Sequence, residues 1–92
     1  MVKHIVLWTM KPEAVPEKKL EAKNRLEALV GMIPGLHTLE VGIDAGNGTM
    51  SLYSELDSFD ALAGYQEHPA HKTAGALIQE LAAARCVSDY ET

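Results

Sequence analysis

The chain of 92 residues is poor in cysteine, in aromatic residues and in long apolar runs. Because Cys86 is the only cysteine, no intramolecular disulfide can form, which is usual for proteins of a reducing compartment. No apolar stretch reaches the ~20 residues that a membrane-spanning helix needs. The amino terminus also lacks the layout of a signal peptide. We therefore expect a cytoplasmic protein that does not insert into membranes.

A clustered basic surface is missing as well. The formal net charge is −5, and the lysines between Lys18 and Lys23 are interleaved with glutamate. Nucleic-acid binding usually requires a basic patch that neutralises phosphates. We expect no nucleic-acid partner and interpret the 18–23 run as the solvated face of a helix.

The remaining composition is that of an ordinary globular protein, with 47% hydrophobic and 23% charged residues. A chain of this length supports a single core, so residues 1–92 are expected to form one domain. Small cores give modest stability, and association of subunits would add to it.

Four segments have the pattern of β-strands. Residues 2–10 are rich in β-branched and apolar side chains, and further strands are predicted at 36–43, 49–56 and 85–90. Alternation along the first strand places His4, Val6 and Trp8 on one face and Ile5, Leu7 and Thr9 on the other. The same rule groups His37, Leu39 and Val41 on the second strand, and Met50, Leu52, Ser54 and Leu56 on the third.

Two helical regions separate these strands. Pro16 suits the first turn of one helix, and Pro34-Gly35 is predicted to end it. Asp57 or Ser58 is expected to cap the second helix. That helix must break at His68, because a residue before proline is displaced from the helical conformation. The side chains predicted to point inward are Ala22, Leu26, Leu29, Val30 and Ile33 from the first helix, Phe59, Leu62, Ala63 and Tyr65 before the break, and Ala70, Ala74, Leu77, Ile78 and Leu81 after it.

The predicted order is β-α-β-β-α-β, an α+β fold of the ferredoxin-like class. Both helical regions would cover one face of a four-stranded antiparallel sheet. Nothing in the chain remains to cover the second face, which carries Ile5, Leu7, Tyr53 and Cys86. Exposed apolar faces usually mark interfaces, so we predict a homodimer formed by two sheets in contact.

Residues 65–71, Tyr-Gln-Glu-His-Pro-Ala-His, carry the clearest chemistry of the chain. His71 begins a helix, whose dipole disfavours imidazolium, so the ring suits a general base beside a carbonyl. Tyr65 offers a hydroxyl that can stabilise a developing oxyanion. Two alternatives stay open: a His71 that only packs and hydrogen-bonds, and a core tyrosine that satisfies a backbone group at the break. His68 is expected to cap the helix after the break.

The remaining histidines and the methionines indicate a lined apolar space. His4 shares its strand face with Trp8, and it could be a core residue or the wall of a pocket. Met10, Met32 and Met50 would give that space a soft lining for a flat ligand. His68 and His71 are three residues apart, but the proline between them spoils a shared metal site and no carboxylate or cysteine pattern accompanies them. We predict neither a metal nor an organic cofactor.

The chain resembles the stress-responsive A/B barrel family, whose members are dimeric α+β barrels. The resemblance lies in the residue strings 3–7, 39–42, 55–59, 65–71 and 87–90, which span nearly the whole chain. It implies a homodimer whose sheets face each other and a cavity between the sheet and helices of each subunit. One plant branch contains a polyketide cyclase that performs an intramolecular aldol step. Its catalytic tyrosine and histidine match Tyr65 and His71, and its pocket histidine on the first strand matches His4.

The chain departs from that branch on the third strand, where Met50 or Ser51 falls near the position of a further pocket histidine. We predict that a small hydrophobic or aromatic carbonyl compound binds in the cavity, with His71 as the base and Tyr65 as the oxyanion donor of a cyclase or isomerase. The residues expected to line the site are His4, Val6, Trp8, Leu39 and Met50. The alternative is a non-catalytic stress-responsive protein that serves binding or assembly.

Overall fold

Seven elements of secondary structure follow one another in the computed structural model, which describes all 92 residues. They are β1 (Val2–Met10), α1 (Pro16–Glu27), β2 (Leu36–Ile43), β3 (Met50–Leu56), α2 (Phe59–Glu67), α3 (Pro69–Leu81) and β4 (Ala82–Glu91). The strands pair antiparallel in the order β2-β3-β1-β4. The predicted ferredoxin-like arrangement is confirmed, with the second helical region divided into α2 and α3.

The faces of β1 and β3 follow the predicted alternation. Val6 pairs with Leu52 on β3 and with Val87 on β4, so these side chains share one face of the sheet. Over β1, β2 and β3 this face lies against the helices, and its side chains join those of the helices in one core, whereas β4 is exposed beyond Ala82. Two polar residues are buried in this core, His4 and Ser54, and the Ser54 hydroxyl donates to the His4 carbonyl oxygen at 2.9 Å.

The predicted position of His37 is wrong. A register shift between Leu36 and Thr38 interrupts the pairing of β2 with β3. His37 therefore does not share the buried face of Leu39 and is exposed, where its ring bonds the Asp57 carboxylate. Bulges of this kind depend on strand pairing and turn a side chain away from the simple alternation.

Helix α1 is shorter than predicted, because it ends at Glu27 rather than at Pro34-Gly35. Gly31 has a φ of +89°, a left-handed conformation that breaks a helix. Leu29 and Ile33 still reach the core from the turns that follow, whereas Val30 is 40% exposed.

The region between β3 and β4 forms two helices that meet at His68. Ser58 caps α2 as predicted, and its hydroxyl accepts a hydrogen bond from the Ala61 amide at 3.1 Å. Helix α2 buries one narrow face, which carries Leu62 and Tyr65. The inward placement predicted for Phe59 and Ala63 is wrong, since both are exposed.

The second face of the sheet has no helix over it. Leu7 is 49% exposed on this face, opposite Cys86 of β4 and Ser51 of β3. Near it, the Lys3 ammonium group donates to the Tyr53 hydroxyl at 2.8 Å and to the Glu55 carboxylate at 3.0 Å. We call this surface the open sheet face. None of the helices has the length and apolar character required to cross a membrane.

Candidate functional site

The break between α2 and α3 sets the geometry of the candidate site. His68 is extended, with φ −66° and ψ 133°, and it serves as the last cap of α2 and the first cap of α3. Its Nδ1 atom accepts a hydrogen bond from the Ala70 amide at 3.1 Å. The predicted capping role of His68 is confirmed, and this ring nitrogen is occupied by the backbone.

Across this break, the rings of Tyr65 and His71 come into contact. Their centroids are 4.3 Å apart and their planes are inclined by 48°. Tyr65 is 1% exposed, because it belongs to the buried face of α2. His71 lies in the first turn of α3 and is partly buried. Two residues six positions apart in the chain thus form one side-chain pair.

The surroundings keep both groups uncharged near neutral pH. Burial raises the pKa of Tyr65 to about 12, although the positive charge of Arg85 acts in the opposite direction. Burial also lowers the pKa of His71. The Gln66 backbone acts to raise this pKa, whereas nearby His4, Arg85 and His68 act to lower it further. The phenol therefore keeps its proton while the imidazole is free to accept one.

One nitrogen of His71 lacks a partner. Its Nδ1 atom is buried and makes no hydrogen bond within the protein. Buried polar atoms are nearly always paired, and an unpaired one costs about 1–3 kcal/mol. This unpaired atom makes His71 a candidate for ligand binding or proton transfer.

A partly open cavity of about 270 Å³ lies beside this histidine, between α3 and the β1–β4 pair. Its lining consists of Trp8, Gln66, His71, Gly75, Ile78, Gln79 and Arg85. The members from α3 recur at positions that share one face of a helix. Gly75 leaves room because it has no side chain, and Trp8 stands opposite Arg85 in the register of the two strands.

Sequence patterns gave no prediction for most of this lining. The helical spacing from His71 to Gly75 and Gln79, at i, i+4 and i+8, was a usable signal. Arg85 was predicted only as the start of the fourth strand, and its place beside Trp8 depends on the strand register.

Only some of the residues predicted to line the site lie in the cavity wall. Trp8 does, whereas Val6, Leu39 and Met50 belong to the packed core and are not among the cavity-lining residues. His4 is 2% exposed, and its ring lies edge-on to Tyr65 with centroids 6.0 Å apart.

Asp89 is a partner of His4 that sequence reasoning missed. Its Oδ1 atom lies 2.5 Å from the His4 Nδ1 atom, and the two residues face each other in the β1–β4 register. A carboxylate at Nδ1 fixes the orientation of an imidazole and directs its second nitrogen elsewhere. A continuous row of side chains results: Asp89, His4, Tyr65 and His71.

Three larger grooves on the surface lack such a row. One of about 510 Å³ runs beside Pro34 and Asp60, one of about 410 Å³ lies between Leu29 and Ala74, and one of about 350 Å³ lies beside Tyr53 on the open sheet face. None is lined by two acid–base groups whose rings are in contact, so the smaller cavity beside His71 is the better candidate. No group of three or more histidine, cysteine, aspartate or glutamate side chains is arranged to hold a metal ion.

The fold and this site define an α+β protein of the ferredoxin-like class with an uncovered sheet face. A sequence profile of the stress responsive A/B barrel domain matches residues 2–92, and the chain belongs to this family. The resemblance that the sequence suggested is thereby confirmed. No curated protein sequence matches the chain at a significant level.

Solved structures agree with this assignment. A dimeric ferredoxin-like protein of unknown function from Bacteroides fragilis has 36% identity and a TM-score of 0.85, over 99% of this chain and 95% of that one. A dimeric ferredoxin-like protein of unknown function from Thermobifida fusca has 28% identity and a TM-score of 0.87, over 99% and 90%. An Arabidopsis thaliana protein also has 28% identity and a TM-score of 0.87, over 100% and 95%.

Proposed function

We propose that two copies of the chain form a homodimer through their open sheet faces. Each copy would bind a small hydrophobic or aromatic carbonyl compound in the cavity beside His71. The similar proteins from Bacteroides fragilis and Thermobifida fusca are described as dimeric, which supports the association. Leu7 is a large apolar residue that is 49% exposed on the open sheet face. An exposed apolar face of a sheet usually marks an interface, which supports this face as the dimer surface.

We further propose that the bound compound undergoes proton transfer, in a reaction of the cyclase or isomerase type. The observation that carries this proposal is the unpartnered, buried Nδ1 atom of His71 beside the phenol of Tyr65. A neutral imidazole can remove a proton from the carbon next to a carbonyl, and a protonated phenol can donate to the oxyanion that forms.

The aldol version of this reaction is balanced without a cofactor. The C–H electron pair forms the enolate, whose oxygen is stabilised by the Tyr65 hydroxyl. The enolate carbon then attacks a second carbonyl carbon of the same molecule, a C–C bond forms, and the new alkoxide takes the proton back from the His71 imidazolium. In an isomerase the proton returns to a different carbon instead. His4, held by Asp89, would act as a positioning residue that keeps the Tyr65 ring in place.

Trp8 gives the proposal a direct optical test, because it is the only tryptophan and lies in the cavity wall. A panel of aromatic ketones and diketones is titrated against the dimer while tryptophan fluorescence is recorded. We expect saturable quenching that weakens in His71→Ala. His37→Ala is the matched control, since His37 is exposed on the surface and should leave quenching unchanged.

The opposite result would favour the non-catalytic alternative. If no compound changes the fluorescence of an intact dimer, the cavity does not serve as a ligand site. The pair of Tyr65 and His71 would then only stabilise the break between α2 and α3.

A further inference from the structure

Arg85 is the only lysine, arginine, aspartate or glutamate among the residues that line the cavity beside His71. It takes part in none of the ion pairs of the chain. By contrast, Arg25, the only other arginine, pairs with Glu21 at 2.6 Å. A guanidinium group carries five donors and a permanent positive charge. This one lines the cavity, is exposed to solvent and has no carboxylate partner within the chain, so it is available to an anionic ligand.

The nearest carboxylate on the same face of β4 is already occupied. Asp89 lies four residues further along, which is about 13 Å at ~3.3 Å per residue of a strand. It bonds the His4 ring and not Arg85. The charge of Arg85 acts on the other side of the cavity as well: it opposes the rise that burial gives the pKa of Tyr65, and it adds to the lowering that burial gives the pKa of His71. A ligand in this space would thus contact the cation and His71 at once, with the buried Tyr65 ring directly behind His71.

We infer that Arg85 binds a carboxylate group of the ligand, so that the cavity takes a small aromatic or hydrophobic keto acid. The inference rests on the proposed function and narrows its ligand from carbonyl compounds in general to those that carry a carboxylate. The planar guanidinium fork matches a carboxylate with two parallel hydrogen bonds. With the carboxylate at Arg85, the carbonyl group would lie toward Tyr65 and His71.

Charge and size both favour a monocarboxylate over a phosphate. The cavity offers one cation, and its other polar walls are the neutral amides of Gln66 and Gln79 and the neutral His71. A dianionic phosphate would keep one charge without a partner, which is costly beside the apolar Trp8 and Ile78. The volume of about 270 Å³ is at the small end for ligand sites, which excludes extended molecules.

The test compares an acid with its own ester. Phenylpyruvate and methyl phenylpyruvate are titrated by calorimetry against the wild-type dimer and against Arg85→Gln. We expect the acid to bind the wild type at least about 10-fold more tightly than the ester, as for a charge-assisted bidentate contact. In Arg85→Gln this preference should vanish while the affinity for the ester stays the same. Arg25→Gln, the matched control on α1, should keep the preference.

Other outcomes separate this inference from the proposed function. If the wild type binds acid and ester equally and His71→Ala abolishes both, the role of Arg85 is wrong and the carbonyl site stands. If phenyl phosphate binds more tightly than phenylpyruvate, the assignment to a carboxylate is overturned. If neither phenylpyruvate nor its ester binds, both the inference and the proposed ligand site fail.

Discussion

The rings of Tyr65 and His71 contact each other across a break in the helical region, with centroids 4.3 Å apart. Pro69 causes that break, because the residue before it cannot keep a helical conformation. The contact places a phenol that keeps its proton beside an imidazole that is free to accept one. His71 lines the cavity, and the buried Tyr65 phenol lies directly behind it.

Stability should depend on pH through His71. Burial lowers its native pKa below the ordinary value of 6.5, so between these two values the unfolded chain binds more protons than the native one. The contribution of the neutral His71 ring to the free energy of unfolding is fully present above its ordinary pKa. This contribution declines as the pH falls toward the lower pKa of the native state. His71→Gln should flatten this decline in urea unfolding curves recorded from about pH 8 to about pH 5.

His37→Gln serves as the comparison, because this histidine is exposed and pairs with Asp57 instead. It should not flatten the profile. If the stability of His71→Gln falls with decreasing pH as steeply as that of the wild type, His71 is not the group that titrates.

Asp89 is expected to set the tautomer of His4. The carboxylate accepts a hydrogen bond from His4 Nδ1, so the neutral ring should carry its proton there. In Asp89→Asn this preference should weaken, and the variant should lose about 1–3 kcal/mol of stability because the ring is buried. Nitrogen-15 NMR of the imidazole and urea unfolding measure the two effects.

Ser88→Ala provides the control for Asp89, since Ser88 lies on the other face of β4. It should leave both the tautomer and the buried ring unchanged. An unaltered His4 spectrum in Asp89→Asn would contradict the role assigned to the carboxylate.

Glu27 is expected to stabilise the edge strand β2. Its carboxylate accepts from the Val41 amide at 2.9 Å and from Lys23, whose ammonium group also donates to the Val41 carbonyl oxygen at 2.7 Å. Burial acts to raise the pKa of Glu27, but these hydrogen bonds outweigh it and the pKa is lowered. Glu27→Ala should therefore cost about 1–2 kcal/mol in urea unfolding.

Glu21→Ala is a close match on the same helix. Glu21 forms an i, i+4 pair with Arg25, but both side chains are more exposed than those of Lys23 and Glu27, and Glu21 accepts no hydrogen bond from a strand amide. Its loss should cost less than about 0.5 kcal/mol. Equal costs for the two variants would mean that the contact with Val41 adds no stability.

Strand faces could be predicted from the sequence because alternation along one strand depends only on local residues. That is why His4 and Trp8 were placed correctly on the helix side of β1. The helix break at His68 was equally local, since Pro69 dictates it. The end of α1 was missed because its apolar spacing continues into the turns after Glu27.

The rest of the site depends on contacts between distant parts of the chain. His4 and Asp89 are 85 residues apart, and only the β1–β4 register brings them together. The same register puts Arg85 beside Trp8. Alternation gives the face of each strand but not the residue opposite, so neither partner was predicted.

The dimer surface can be tested with two residues of equal exposure. Leu7 on the open sheet face is 49% exposed, and Phe59 on α2 is 50% exposed. Leu7→Asp should weaken the dimer by about 100-fold or more, because a charge would be buried at the centre of the interface. Phe59→Asp should remain dimeric. Sedimentation equilibrium measures both, and a stable Leu7→Asp dimer would exclude the open sheet face as the interface.

Proton exchange on a bound carbonyl compound shows whether Tyr65 and His71 act as a catalytic pair. Phenylacetone and phenylpyruvate are incubated with the protein in deuterated water, and loss of the proton signal beside the carbonyl is followed by NMR. We expect exchange about 10²- to 10⁴-fold faster than with buffer alone, loss of this acceleration in His71→Ala, and a reduced rate in Tyr65→Phe. If either compound binds in the cavity and exchange is no faster than in buffer, the pair of Tyr65 and His71 is not catalytic and the protein is a binding protein.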